Sequence, residues 1–309
     1  MERRTGTPHR LSPASPLAAA LARGPVVLDG GLSNQLEAQG CDLGDALWSA
    51  RLLADDPEQL TAAHRAYARA GARVLLTASY QASFEGFARR GLDRTAAAAL
   101  FRRSVHLARK AAEGRPVLVA ASVGPYGAVR ADGGEYRGRY GLTVRELTRF
   151  HRPRIEALAE AGPDVLALET VPDADEAEAL LDAAAGCGLP VWLSYTVAGD
   201  RTRAGQPLAA AFAVAAGRDE VVATGVNCCT AADAERAVPV AAETTGKHVV
   251  AYPNSGEDWD AAAHRWRGSG TWDPARVAGW TALGARLLGG CCRVGPDAIA
   301  ELARALEKR

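Results

Sequence analysis

Neither sign of charge is in excess in this chain: lysine plus arginine total 36, and so do aspartate plus glutamate. A balanced chain carries no electrostatic footprint for nucleic acid or an anionic membrane surface. No apolar run approaches the roughly 18 residues of a membrane-crossing helix. The opening residues lack the long apolar region and small-residue cleavage site of a secretory leader, since Pro13 and Pro16 interrupt the candidate stretch. The expectation is a cytoplasmic protein without nucleic-acid or membrane partners. A loose tail is expected over residues 1–14 and one folded domain over residues 15–309. Linkers, low-complexity segments and internal repeats are also missing. No GxGxxG follows the first strand-like run, which argues against a dinucleotide-binding fold. His64, His106, His151, His248 and His264 show no ligand spacing and read as surface or packing residues.

What is present is a regular alternation. Eight short runs rich in Val and Leu stand out at Pro25–Asp29, Arg73–Thr77, Pro116–Ser122, Asp164–Glu169, Pro190–Thr196, Glu220–Cys228, His248–Pro253 and Ala285–Cys292. Continuous apolar runs of this length fit strands buried on both faces. Ala-rich helical stretches lie between them. Asp56-Pro57-Glu58 and Asp273-Pro274 read as helix starts. Thr143 to Glu146 reads as a capping box before a helix to Ala161, with a kink or break expected at Pro153. Asp173–Ala185 and Pro296–Leu306 are further helices. Strand then helix, eight times in 309 residues, predicts an α/β fold, a (β/α)₈ TIM barrel of parallel strands, over the rival open sheet. Gly-rich loops at Gly124–Tyr140 and Ser255–Trp272 follow the third and seventh strands, on the rim where barrels carry their chemistry.

Six cysteines are present, four of them in two adjacent pairs. Cys228 ends the sixth strand; Cys291 and Cys292 end the eighth. Those ends lie about 10 Å apart across two strand spacings, close enough for converging side chains to share a zinc ion with bonds near 2.3 Å. Neighbours in a strand face opposite ways, so Cys291 and Cys292 both serve only if the chain turns there. Gly289, Gly290 and Gly295-Pro296 favour such a turn. By the same alternation Cys229 points away. Cys41 and Cys187 read as small buried residues. Three thiolates leave the fourth position open, as in catalytic zinc sites. The pairs also fit plain packing or a redox couple, and spacing alone leaves these alternatives open.

The residues reached so far resemble the homocysteine S-methyltransferase family. GVNC at 225–228 and GGCC at 289–292 look like its zinc motifs. Leu28 to Leu32, Gln35 to Gly40, Thr77 to Ser83, Ala121 to Ala128, Glu135 to Gly138, Leu168 to Thr170 and Tyr252 to Glu257 are similar to its other motifs, in order along the chain. The resemblance implies a barrel with one zinc on Cys228, Cys291 and Cys292. It also implies methyl transfer from a sulfonium, S-methylmethionine or S-adenosylmethionine, to homocysteine, forming methionine. A related thiol or selenol acceptor, a betaine-type donor, or a non-enzymatic cysteine site are the alternatives. Arg139, Asp173 and Tyr195 depart from the pattern of the S-methylmethionine-using branch and bear on donor choice.

A thiol titrates near 8.5 and is mostly protonated at neutral pH; zinc would deprotonate it. Attack on a sulfonium methyl neutralises both charges and needs no general base, so no catalytic residue apart from the metal ligands is expected. Asp29 and Glu169, acids at the ends of the first and fourth strands, are candidates for the homocysteine ammonium. A helix cap and a structural ion pair are their plain readings. Thr77 is a candidate for the carboxylate through its hydroxyl or N–H, and Asn254 and Ser255 for donor or substrate. Asn227 reads as a group beside the zinc or a strand closure. Tyr80, Tyr126 and Trp272 are aromatics able to face a sulfonium.

Overall fold

The computed structural model describes residues 15–44, 49–130, 132–260 and 265–308; the expected tail lies outside them. Eight parallel strands form one sheet: β1 (Val26–Val27), β2 (Val74–Leu76), β3 (Leu118–Val123), β4 (Val165–Val171), β5 (Val191–Tyr195), β6 (Val221–Asn227), β7 (His248–Tyr252) and β8 (Ala285–Leu288). Their spatial order is β1-β8-β7-β6-β5-β4-β3-β2. A Leu28–Val74 bridge joins β1 to β2 and closes the ring, with Arg73 N–H donating to Val27 O at 2.7 Å. Helices follow the strands, and the predicted TIM barrel is what the chain forms.

The apolar runs serve two cores because side chains alternate. Val26, Leu28, Val74, Ala120, Val165, Ala167, Trp192, Ala223, Val250 and Leu287 fill the barrel interior. Leu17 and Leu21, one turn apart on the helix Pro16–Arg23, pack into that interior cluster. Leu166, Leu168, Leu193, Val226 and Val249 face outward into the larger core beneath the helices.

Most helix signals read from the sequence are realised. Thr143 and Glu146 form both halves of a capping box, and Asp273 caps Pro274–Gly279. Asp56 occupies the expected N-cap position but its side chain makes no capping bond. The break expected at Pro153 does not occur: Val144–Glu160 is one helix. Proline removes one hydrogen bond, while Leu147, His151, Arg154, Ile155 and Leu158 bury a continuous face on both sides of it.

Cys41 and Cys187 are half-buried rather than buried. His64, in the helix Pro57–Arg69, is fully buried, and neither ring nitrogen has a hydrogen-bond partner among the described residues. Burial pushes its pKa down to about 4. The unfolded chain therefore binds this proton first, near 6.5. Stability held above that pH is lost as pH falls through about 4, by about 3 kcal/mol. Urea unfolding of wild type and His64→Leu between pH 7 and 4 checks this. Wild type should lose more stability than the variant, and parallel curves would refute the assignment.

Candidate functional site

Above the apolar interior the inward positions turn polar, and they bond to one another. Glu169 of β4 meets the Ser122 hydroxyl of β3 through Oε1 and accepts from Tyr252 OH of β7 at 2.9 Å through Oε2. Tyr252 OH also lies 2.9 Å from Ser194 Oγ of β5. Ser194 Oγ donates to Asn227 Oδ1 of β6 at 2.8 Å. Asn227 takes the backbone N–H of Thr170 on Oδ1 and gives Nδ2 to the Thr170 hydroxyl, both at 2.7 Å. Thr170 has φ +57°, a conformation β-branched residues avoid, and this two-point grip offsets its cost.

Among the described residues no cation pairs with Glu169; its partners are hydroxyls. Burial raises its pKa to about 7 against those hydrogen bonds, with Cys228 adding to the rise. Asp29 is not a helix cap either. Gly31 occupies that position, and Asp29 Oδ2 instead accepts from Leu76 N–H at 2.8 Å across the β1–β2 seam. Burial pushes its carboxyl up, and Glu169 nearby adds to this. Burial thus holds both carboxyls above the ordinary carboxylate range.

Thr77 donates its N–H to Ala120 O at 3.0 Å. Its Oγ1 accepts from Ser122 N–H at 3.0 Å and lies 2.6 Å from Ser79 Oγ. Ser79 spends its own proton on Ser122 O, so Thr77 must donate to Ser79. Both donors expected to meet a carboxylate are therefore engaged within the protein. Asn254 sits between the cysteines: Oδ1 accepts from Cys292 N–H at 3.1 Å, its N–H donates to Cys229 O at 2.9 Å, and its side chain helps hold the Cys228 thiol down.

Cys228 follows β6 with φ +51°, which turns it from the strand path into the mouth. Cys291 and Cys292 open a turn closed by Val294 N–H on Cys291 O at 3.2 Å. That turn lets two neighbours face one point, as alternation required. The sulfurs of Cys228, Cys291 and Cys292 all lie within 4.8 Å of one another, and Cys228 Sγ is 3.7 Å from Cys292 Sγ. Tetrahedral Zn–S bonds near 2.3 Å require S···S of about 3.8 Å, so the donor set fits such an ion in type and spacing. Cys291 and Cys292 hydrogen-bond to Cys228 and hold its thiol well below the usual range against burial, with Tyr136 and Asn254 adding to this. Their own thiols are pushed up by Cys228. One negative charge is thus shared by three sulfurs, and full ionisation needs a cation. Cys229 packs in the core beneath the helices.

Tyr136 was not anticipated. Its hydroxyl lies 3.2 Å from Cys228 Sγ, carried by the 3₁₀ turn Gly134–Tyr136 in the loop after β3. No spacing in the sequence ties that loop to a cysteine 92 residues away. Tyr252 and Ser194 were legible in principle, two positions beyond the inward Val250 and Trp192. Tyr126 spends its ring on Tyr140 and Phe150. Trp272 packs against the outer core. Asp173 holds Arg139 N–H at 3.0 Å and Gln206 Nε2 at 2.6 Å, so two of the departing residues fasten the third loop to the segment after β5.

A sequence model of the family described as homocysteine S-methyltransferase matches residues 26–306. The chain is 44% identical over 307 residues to a homocysteine S-methyltransferase of Escherichia coli, covering 94% of this chain and 99% of that one. It is 44% identical over 310 residues to homocysteine S-methyltransferase 4 of Zea mays, covering 93% and 91%. The structure is similar, with TM-score 0.85 and 43% identity, to the metallated form of the homocysteine methyltransferase MmuM from Escherichia coli, over 94% of this chain and 99% of that chain.

Proposed function

Because the chain belongs to the homocysteine S-methyltransferase family, we propose that it moves a methyl group from a sulfonium donor to the sulfur of homocysteine, forming methionine. The observation that carries this reading is the convergence of three thiols, distant in sequence, within 4.8 Å at one rim. S-methylmethionine and S-adenosylmethionine are the proposed donors. No helix among the described residues is long and apolar enough to cross a membrane, and we place the enzyme in the cytoplasm, with one barrel domain over residues 15–309.

Cys228, Cys291 and Cys292 would hold a zinc ion, which supplies the Lewis acidity that ionises a substrate thiol at neutral pH. The family relationship and the relative solved in metallated form support that assignment. Asp29 and Glu169 hold the homocysteine ammonium, which keeps its sulfur aimed at the cysteines. Tyr136 holds the Cys228 sulfur by its hydroxyl, and Asn254 holds the backbone of Cys292 beside it. The buried wall below the mouth keeps water from the methyl group, and a water-poor site favours a step in which opposite charges cancel. The chain's contribution is alignment in line, with no proton transfer at the moment of attack.

The test is methionine formation from homocysteine with S-methylmethionine, S-adenosylmethionine or betaine, with and without a chelator. Turnover is expected with a sulfonium, lost on chelation and restored by zinc at about one ion per chain. Chelator-insensitive turnover would overturn the metal assignment. Metal-free protein carrying a Cys228 disulfide, with no turnover after reduction and zinc addition, would favour a redox site.

A further inference from the structure

One buried charge at the mouth is left unexplained by that mechanism. Glu135 lies on the same turn as Tyr136, and its Oε2 is buried with no hydrogen-bond partner among the described residues. The placement is built. Gly138 N–H and Arg137 N–H each donate to Gly134 O at 3.0 Å, and Tyr140 OH donates to the same oxygen at 3.3 Å. Gly127 lies so close beneath the turn that a Cβ on it would fall 2.3 Å from Gly134 C and 2.5 Å from Glu135 N.

The surroundings oppose a negative charge there. Burial raises the Glu135 pKa to about 6 against a bond from its own N–H, and Cys228 and Asp132 raise it further. The cation that lowers it, Arg137, has a side chain 65% exposed and pairs with Asp132 at 3.5 Å. A carboxylate held in such a place, with an oxygen unsatisfied, is costly unless a ligand completes it. The aromatic groups nearby are Tyr136, whose hydroxyl touches Cys228, and Tyr80, which feels the charges of both Glu135 and Cys228.

Building on the proposed reaction, we propose that Glu135 is the specificity-determining residue for the methyl donor: its carboxylate, beside Tyr80 and Tyr136, receives the positive charge of the sulfonium. Asp29 and Glu169 lie at strand ends and serve the acceptor. Glu135 lies on the loop that reaches Cys228, the side from which a donor must approach the acceptor sulfur. In the transfer the donor's methyl–sulfur bond breaks and its electron pair stays on the donor sulfur. A lone pair of the homocysteine thiolate forms the new bond. The donor leaves as a neutral thioether, so Glu135 holds the substrate and releases the product. The interaction belongs to the ground state and acts on KM more than on kcat.

Steady-state kinetics with S-methylmethionine, and calorimetric binding of S-methylmethionine against methionine, test this in wild type, Glu135→Gln and Glu135→Asp. Glu135→Gln should raise the donor KM at least tenfold, leave kcat within about threefold, and leave homocysteine KM and metal content unchanged. Glu135→Asp should recover part of the donor affinity. Wild type should bind the sulfonium at least tenfold better than the thioether, and Glu135→Gln should lose that preference. An unchanged donor KM and preference in Glu135→Gln would overturn the assignment, as would donor and homocysteine KM rising together with loss of metal. Wild type that selects the sulfonium but forms no methionine would sink the proposed reaction and leave the donor site standing.

Discussion

Serine at position 228 should cost this protein its capacity to bind zinc and more than about 100-fold of its methyl-transfer rate. Losing an outer partner of a metal ligand commonly costs 10–100-fold, and in the proposed site Cys228 is a ligand itself. It is the sulfur on which the other two converge. Cys292 and Tyr136 contact it at 3.7 and 3.2 Å, and Cys291, Cys292, Tyr136 and Asn254 hold its thiol well below the ordinary range. A serine hydroxyl keeps its proton at neutral pH and leaves two neighbouring thiols without the third corner. Elemental analysis and the methionine assay, made on Cys228→Ser and on Cys229→Ala as control, decide the matter. Cys229 packs in the outer core, so its loss should lower stability modestly and leave metal content intact. A Cys228→Ser enzyme with full metal and wild-type rate would remove the basis of the proposed function.

Alanine at Gly225 should unfold the barrel or cost at least about 3 kcal/mol, the upper part of the range for overpacking a filled core. Gly225 is paired with Val250 of β7. A Cβ there would stand 1.8 Å from Val250 O and 2.8 Å from Val250 C. Both are main-chain atoms of the adjacent strand, so no rotamer change relieves the clash. Either the strands separate and lose ladder bonds, or β6 twists and carries Asn227 and Cys228 with it. Denaturant unfolding followed by circular dichroism measures the loss, and a midpoint shift of less than about 1 kcal/mol would show the barrel more compliant than this spacing implies.

Much of this was legible from apolar runs and turn chemistry. All eight strands lie where Val- and Leu-rich runs predicted them, because a sheet buried on both faces tolerates little else. The meeting of Cys228 with Cys291 and Cys292 follows from knowing that parallel barrel strands share one active rim. What escaped depends on distances that only the closed ring creates. Thr77 looked open to a ligand, yet Ser79 and Ser122 consume its groups. Asp29 was read as an ammonium group's partner with a helix cap as its plain alternative, and neither reading foresaw that it stitches the seam to Leu76. Tyr136 reached its sulfur through a loop whose path no periodicity encodes. At Pro153 the break allowed by the local signal is overruled by a buried helix face on both sides.

The single amide of Asn227 joins three strands. It binds Thr170 at the end of β4 and Ser194 of β5 from its own place on β6. The residues that Thr170 and Asn227 adjoin are Glu169 and Cys228, so the two groups proposed to anchor the acceptor share one hydrogen-bonded frame. The third loop meets the Cys228 side of that frame through a hydroxyl–sulfur contact at 3.2 Å and is tied down beyond it by Asp173 on Arg139 N–H. In the proposed reaction the strand ends are thus the anvil on which the acceptor rests, and the fastened loop is the jaw that faces whatever brings the methyl.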